Sequence, residues 1–370
     1  MHNQLRIIIA GGGTGGHIFP AIAVAQSIRQ LQPNAAILFV GAKGKMEMEK
    51  VPQAGFIIEG LTIAGFNRTH ILKNITLPFK LVKSFVQVGA IFKKFKPNAV
   101  FGVGGYSSFP VLKYAQTKNI PTFIHESNAF AGKSNKLLSE NATKIFTGTS
   151  GMERFFPADK IQVSGNPVRN NITNNKYTKE AALLKFGLLP NRKTLLVVGG
   201  SLGAASINAA IKDNLSLFTE KDIQLIWQTG KPNASEYEKA AAQFSNVYVS
   251  SFIDDMSAAY AAADFVVSRS GAMAVAEISI VNKPCVFVPY PYAAEDHQTF
   301  NAMSLVNEGA AAMIPDKEVS QQLTPTIIEL FNNDKAMESM KARLASFALL
   351  NADMLIAKEI IKCVENSNLK

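Results

Sequence analysis

Short apolar and β-branched runs recur along the chain at 7–10, 36–41, 99–103, 122–125, 194–199, 224–228, 264–268 and 285–288, with helical apolar spacing between them. Continuous runs of this kind suit strands buried on both faces. Their alternation with helices predicts an α/β architecture of parallel sheets covered by helices on both sides. The opening unit, LRIIIAGGGTGGHIFPAIAVAQSI at 5–28, returns as TLLVVGGSLGAASINAAI at 194–211: strand, glycine turn, Ala-rich helix. Two copies, each opening one half, predict two doubly wound Rossmann-like domains, with substrate in a cleft beyond the carboxyl ends of the strands. The Asn-rich stretch GNPVRNNITNNKY, 165–177, has linker chemistry. The expected division is 1–166, 167–345, and a tail 346–370 whose helix, near 351–365, returns to the first domain.

With 370 residues, 47% of them hydrophobic, there is enough chain for two cores. Cys285 and Cys363 lie in apolar contexts without a CxxC partner and read as buried free thiols of a reduced, cytoplasmic protein. No signal-peptide pattern opens the chain and no run of 18 apolar residues occurs, so secretion and membrane spanning are not expected. The net charge of +10 is uneven: 19 Lys and Arg face 7 Asp and Glu up to Pro167, against 19 and 21 beyond it. No acid lies between Glu59 and Glu126, where Arg68, Lys73, Lys80, Lys83, Lys93, Lys94, Lys96, Lys113 and Lys118 accumulate. That half is expected to meet something anionic.

The glycine turns carry the chemistry. A strand that ends in glycines before a helix presents unpaired N–H groups and a positive dipole end, and the missing Cβ atoms let an anion approach. Gly11, Gly13 and Gly16 satisfy GxGxxG, but the second strand ends in Gly41, Ala42 and Lys43, without the carboxylate that a nicotinamide cofactor's ribose requires. Gly199 to Gly203 also matches GxSxG, so a hydrolase triad of Ser201, Asp254 or Asp264, and His297 is a rival reading. It leaves the first turn and the basic half without a role. Two more turns, GGYSSFP at 104–110 and RSGAMAVAE at 269–277, occupy equivalent places. Glu277 there can accept from a ribose diol while the helix start faces phosphate, or can be an ordinary solvated helix residue.

In this order GGGTGGH, GVGGYSS, HESNAFAG, GNPVR, GGSLGA, FIDDM, RSGAMAVAE and AAEDHQTFNA resemble the MurG family of peptidoglycan N-acetylglucosaminyltransferases, over residues 11–302. The pattern departs from many members at Ser127, where Gln is common, and at Phe109, where Gly is. The resemblance implies a GT-B fold, with UDP-N-acetylglucosamine (UDP-GlcNAc) held mainly by the second domain and a polyprenyl-linked acceptor, lipid I, by the first. It implies Ser201 on the donor diphosphate, the Ile253 main chain on uracil, and Ala272, Met273, Ala274, Val275, Ala276 and Glu277 on phosphate and ribose. Gln298 is implied on the sugar hydroxyls and Arg169 on the nucleotide. Thr14, Gly15, Gly16, His17 and Asn128 match cleft residues on the acceptor side, the four besides His17 being counted with the donor site as well. Gly13, Gly104, Gly105 and Tyr106 are assigned to the acceptor and its diphosphate. Expected partners are UDP-GlcNAc, lipid I, an anionic membrane surface and other cell-wall synthesis proteins, with the chain peripheral on the cytoplasmic face of the inner membrane.

The implied reaction inverts the sugar's anomeric centre, so it needs a base for the acceptor hydroxyl and positive potential for departing UDP. His17 is the first candidate base, since imidazole titrates near neutral pH; the same ring could instead cap the helix start and position the acceptor diphosphate. Glu126 is the alternative base or the partner that orients an imidazole. His2, His70 and His125 carry no separate role. DxD, HExxH and Cys/His clusters are absent from the sequence, so no tightly bound metal or other cofactor is expected.

In PFKLVKSFVQVGAIFKKFK, 78–96, Phe79, Val82, Phe85, Val86 and Phe92 recur at helical spacing among lysines. A core-packed helix with a solvated face is the plain reading. With Ile71, Leu72, Ile75 and Leu77 upstream, an anionic bilayer is the expected partner of Ile75, Phe79, Lys80, Val82, Lys83 and Phe85. Nucleic acid is excluded, because no aromatic platform or binding motif accompanies the lysines. A sugar-nucleotide epimerase of the same fold is the alternative enzyme.

Overall fold

A computed structural model describes residues 4–65, 75–200 and 202–367. The chain forms two compact units, Met1–Arg169 with Asn351–Lys370, and Asn170–Leu350, so the change of unit falls inside the Asn-rich stretch. That stretch is not all linker: Asn170–Thr173 is a helical turn.

The first unit's strands are β1 (Arg6–Ala10), β2 (Ala36–Ala42), β3 (Ile57–Leu61), β4 (Ala99–Gly102), β5 (Thr122–Glu126), β6 (Lys144–Thr147) and β7 (Ile161–Val163). Their order is β3-β2-β1-β4-β5-β6-β7, every pair parallel. In the second unit β8 (Lys193–Val198), β9 (Ile223–Gln228), β10 (Val247–Ser250), β11 (Phe265–Ser268), β12 (Cys285–Phe287) and β13 (Ala312–Met313) are ordered β10-β9-β8-β11-β12-β13, again all parallel. Strand order reverses beside β1 and beside β8, the switch points where loops diverge and leave room for ligand. The four glycine turns follow β1 and β4, β8 and β11, and so flank the two switch points.

Central strands are buried on both faces, which is why they read as unbroken apolar runs. Ile7 and Ile9 pack with Val24 and Ile28 on one side of the first sheet, and Ile8 and Ala10 with Val88, Val111 and Leu112 on the other. The terminal helix Ala352–Ser367 belongs to this unit, placing Ile356, Ala357, Ile360 and Val364 against the first of those layers. Ser27 Oγ donates to Asp353 Oδ2, and Lys144 pairs with Glu359 at 2.5 Å. In the second unit Trp227 is fully buried and its indole N–H donates to Asn208 Oδ1 at 3.0 Å. Cys285 is buried in β12 and Cys363 half-buried on the terminal helix; neither is in a disulfide, and burial pushes both thiols up.

Candidate functional site

β1 runs into Gly11, Gly12 and Gly13 at φ of 145°, 149° and 89°, backbone that favours glycine. A Cβ at Gly11 would stand 2.5 Å from the Gly104 carbonyl, and one at Gly105 2.5 Å from the Gly12 carbonyl. The turns after β1 and β4 therefore lie back to back, with Gly12 N–H donating to Gly104 O at 3.3 Å. The other flank is filled by Glu47, a residue the sequence reading passed over. It is 1% exposed, and its carboxylate accepts from Gly13 N–H at 2.8 Å and Ala42 N–H at 2.9 Å. A Cβ at Gly12 would run into that carboxyl group.

This corrects the expected role of the first turn. Gly11 N–H donates to Val40 O, so the first three amides are all spent inside the protein, Gly13's included. Gly13 still offers open space, with no atom within 4 Å of a would-be Cβ. Among the described residues no carbonyl accepts from the N–H groups of Thr14, Gly15 or Gly16, at the start of the helix Gly15–Leu31. Those are the amides available to an anion. Gly104 is buried and Gly105 O accepts from Ser108 Oγ, so both serve turn packing. Tyr106 is 52% exposed, and its ring lies where a Cβ at Gly65 would stand.

His17 sits on the first turn of the same helix, its Nδ1 3.2 Å from Thr14 Oγ1. A Cβ at Gly104 would come within 3.0 Å of its Nε2, so the second turn's glycine makes room for the ring. Glu126, at the end of β5, is 4% exposed, and each oxygen already accepts twice. Oε1 takes the main-chain N–H and the side-chain amide of Asn128; Oε2 takes Gly132 N–H and the Asn135 amide at 2.8 Å. Four donors fill the lone-pair positions of a carboxylate, so Glu126 organises the 127–132 loop and is not the base. Lys136 Nζ stands 4.4 and 4.3 Å from the Phe130 and Phe155 ring centres, and Arg154 donates to Ala129 O, which holds the same loop from outside. His125 is fully buried, bridging Gly165 O and Ser127 Oγ at 3.3 Å each; burial drives its pKa down to about 4, so it is neutral. Arg169 is half-buried and stacks at 5.8 Å on Phe19 of the Gly15–Leu31 helix.

The second unit repeats the device. A Cβ at Gly203 would strike the Thr229 carbonyl, while Gly200, φ 85°, has open space where its Cβ would be. Ser201 lies outside the described residues. Gln228 links the turn to the next loop: its amide donates to Gly200 O and its Oε1 accepts from Ile253 N–H at 2.9 Å. Ile253 can thus offer uracil only its carbonyl. Beyond β11, Gly271 caps the helix Ala272–Ile280 with no atom within 4 Å of its Cβ direction. Ala272 through Ala276 are half-buried, and Glu277 is not a solvated helix residue: it is 8% exposed and accepts from Tyr260 OH at 3.1 Å. Gln298 Oε1 accepts from Tyr290 N–H, while Ser270 Oγ donates to Gln298 O at 2.8 Å. Sequence reasoning missed the clamp beneath this turn. Arg269 donates to Asp316 at 2.6 Å and to the Val288 and Pro289 carbonyls, and Ser206 joins both charges, tying together the exits of β8, β11 and β12.

The hydrolase triad does not assemble around the turn after β8. Asp264 accepts from Thr194 N–H and pairs with Lys179 at 2.5 Å, at the entry ends of β8 and β11, a strand's length from Gly199. His297 Nδ1 is held by Ala294 O at 2.6 Å, and Asp254 is exposed.

The basic helix is Leu77–Phe95. Ile75, Phe79, Val82 and Val86 are 66% to 77% exposed, Lys83 is exposed, Lys80 and Phe85 are half-buried, and Val88 and Phe92 enter the core. Arg68, His70, Ile71, Leu72, Lys73 and His2 lie outside the described residues. Among the described residues no helix is long and apolar enough to cross a membrane, and no three His, Cys, Asp or Glu side chains converge on a common point.

Residues 7–147 match the glycosyltransferase family 28 N-terminal domain and residues 194–356 its C-terminal domain. A curated relative from Bacteroides thetaiotaomicron, "UDP-N-acetylglucosamine--N-acetylmuramyl-(pentapeptide) pyrophosphoryl-undecaprenol N-acetylglucosamine transferase", is 48% identical over 100% of both chains. The chain belongs to the MurG family of glycosyltransferases. The crystal structure of Acinetobacter baumannii MurG is similar at a TM-score of 0.76 and 28% identity, over 97% of this chain and 99% of that one. A UDP-GlcNAc 2-epimerase from Neisseria meningitidis, solved bound to UDP-GlcNAc, shares the fold at a TM-score of 0.67 with 15% identity, over 96% of this chain and 100% of that one.

Proposed function

We propose that the chain transfers N-acetylglucosamine from UDP-GlcNAc to the C4 hydroxyl of the muramoyl sugar of polyprenyl-diphosphate-linked lipid I, forming lipid II. The observation that carries this reading is end-to-end relatedness at 48% identity to a curated enzyme of that name. An epimerase shares only the fold, at 15% identity.

The geometry supports a direct displacement. The acceptor oxygen loses its proton to His17 and attacks the anomeric carbon, whose bond to the UDP oxygen breaks with the electron pair leaving on UDP. The Gly200 turn, which leads into the helix Ala205–Lys212, and the helix start at Gly271 supply N–H groups and positive dipole ends for the diphosphate. Glu277 takes the ribose hydroxyls, the Ile253 carbonyl a uracil N–H, and the Gln298 amide a sugar hydroxyl, with Arg169 on the nucleotide. The amides of Thr14 to Gly16 meet the acceptor diphosphate. No tightly bound metal is required in this scheme. The exposed stripe Ile75, Phe79, Val82 and Val86, with Lys80 and Lys83 beside it, docks on an anionic bilayer and brings the polyprenyl-anchored acceptor to the first unit.

Incubation with labelled UDP-GlcNAc and lipid I should yield labelled lipid II, with UDP released only when acceptor is present. Release or interconversion of the sugar nucleotide without acceptor would replace this reading with the epimerase.

A further inference from the structure

We propose that Glu47 is a positioning residue for the acceptor, an internal anion that occupies the Gly13 amide and sets the first turn for the diphosphate to bind one step further along. The inference rests on the transfer reaction proposed above. Three observations converge on it. The carboxylate is 1% exposed, and its hydrogen bonds in the structure come from two main-chain amides, Gly13 and Ala42. The chain has glycine on both sides of it: a Cβ at Gly12 would run into the carboxyl group and one at Gly41 would lie 2.5 Å from Glu47 Cγ. And the turn it grips carries the groups assigned to the acceptor, since Gly12 N–H holds Gly104, against which the His17 ring rests.

A phosphate at a first βα turn takes up glycine amides in this way. Here a covalently held carboxylate does so permanently. A second anion cannot share the Gly13 amide, because like charges a few ångströms apart repel strongly where water is excluded. The remaining donors at Thr14, Gly15 and Gly16 then define where a diphosphate sits, one helix turn from His17. A buried carboxylate is costly to keep unless fully hydrogen-bonded, so its retention at this place ties the turn to one conformation.

The test compares wild type, E47Q and E47D with lipid I in detergent micelles. Gln keeps the shape but has one acceptor oxygen, so an NH2 group must face one of the two N–H groups; Asp keeps the charge but is one methylene short. Losing one charge-assisted hydrogen bond predicts that acceptor kcat/KM falls about 10- to 100-fold in E47Q and less in E47D, while UDP affinity measured by calorimetry stays within about twofold. Acceptor kcat/KM near wild type in E47Q, or donor and acceptor constants worsening together, would overturn the proposal. If wild type makes no lipid II, the transfer reading fails by itself. Amide hydrogen exchange over 11–17 then decides for Glu47, faster exchange in E47Q supporting it and unchanged exchange refuting it.

Discussion

At the scale of the residue, His17 and His125 do different things for physical reasons. His17 stands half-buried at a helix start beside a hydroxyl; His125 is fully buried. Replacing His17 by Ala should lower kcat by about 100-fold or more, the usual contribution of a general base, with UDP affinity unchanged. Unchanged turnover in a rapid-quench assay would remove it from the mechanism. His125 predicts a pH effect on stability instead. Its pKa is near 4 in the fold, against about 6.5 unfolded, so between those values the unfolded chain binds the extra proton. Stability is therefore complete above pH 6.5 and falls as pH drops toward 4, by up to about 3 kcal/mol. Urea midpoints at pH 7 and 4.5 should show this fall, and it should shrink in His125→Asn. Replacing Glu277 by Ala should weaken UDP binding about 10- to 100-fold, the loss of hydrogen bonds to a charged group, measured by calorimetry. The candidate chemistry at His17 and Glu277 was legible because each follows a glycine turn in sequence. Glu47 was not, because its partners Gly13 and Ala42 become neighbours only when β1 and β2 pair.

At the scale of the element, apolar runs marked the strands that are buried on both faces. Five strands went unmarked: β3, β7, β10 and β13 are the edges of the two sheets, where one side meets solvent and the run is broken, as at exposed Ile57, and β6, next to the β7 edge, is buried but offers only the two apolar residues Ile145 and Phe146 between Lys144 and Thr147. The helix Leu77–Phe95 was legible as amphipathic, but which of its apolar positions enter the core was not, since Phe92 and Phe79 share a chemistry and differ only in what packs over them. The exposed set gives an element-level prediction. Neutralising Lys80 and Lys83 to Gln should weaken binding to acidic-lipid vesicles about fivefold per lysine, from about 1 kcal/mol each, with the remaining binding still sensitive to salt. Sedimentation that is indifferent to salt and to these changes would show that the stripe faces something other than lipid.

At the scale of the molecule, the residues proposed for the donor lie in the second compact unit, Arg169 apart, those proposed for the acceptor lie in the first, and the chain's end belongs to the first. Ile360 is fully buried in the core layer that the terminal helix shares with the Gly15–Leu31 helix. Ile360→Ala should cost about 2–5 kcal/mol, with a lowered thermal midpoint, while UDP binding by the folded protein is largely retained because its proposed determinants, Arg169 apart, lie in the second unit. Because the leaving diphosphate is assigned to helix starts rather than to an ion, exhaustive chelation should leave transfer intact; loss of transfer restored by magnesium would refute that assignment.

Periodicity and glycine placement in the chain dictated two parallel α/β units, their strand-turn-helix openings, and the amino acids at the turns, because buried strands and left-handed turns restrict composition locally. Tertiary structure alone decided what the missing Cβ atoms accommodate. Gly11, Gly12, Gly105 and Gly203 make room for backbone and for Glu47, whereas Gly13, Gly200 and Gly271 face open space. It also decided that Glu126 is consumed by its own loop. Such distinctions depend on which distant segments are brought within contact distance, and spacing along a chain does not encode that.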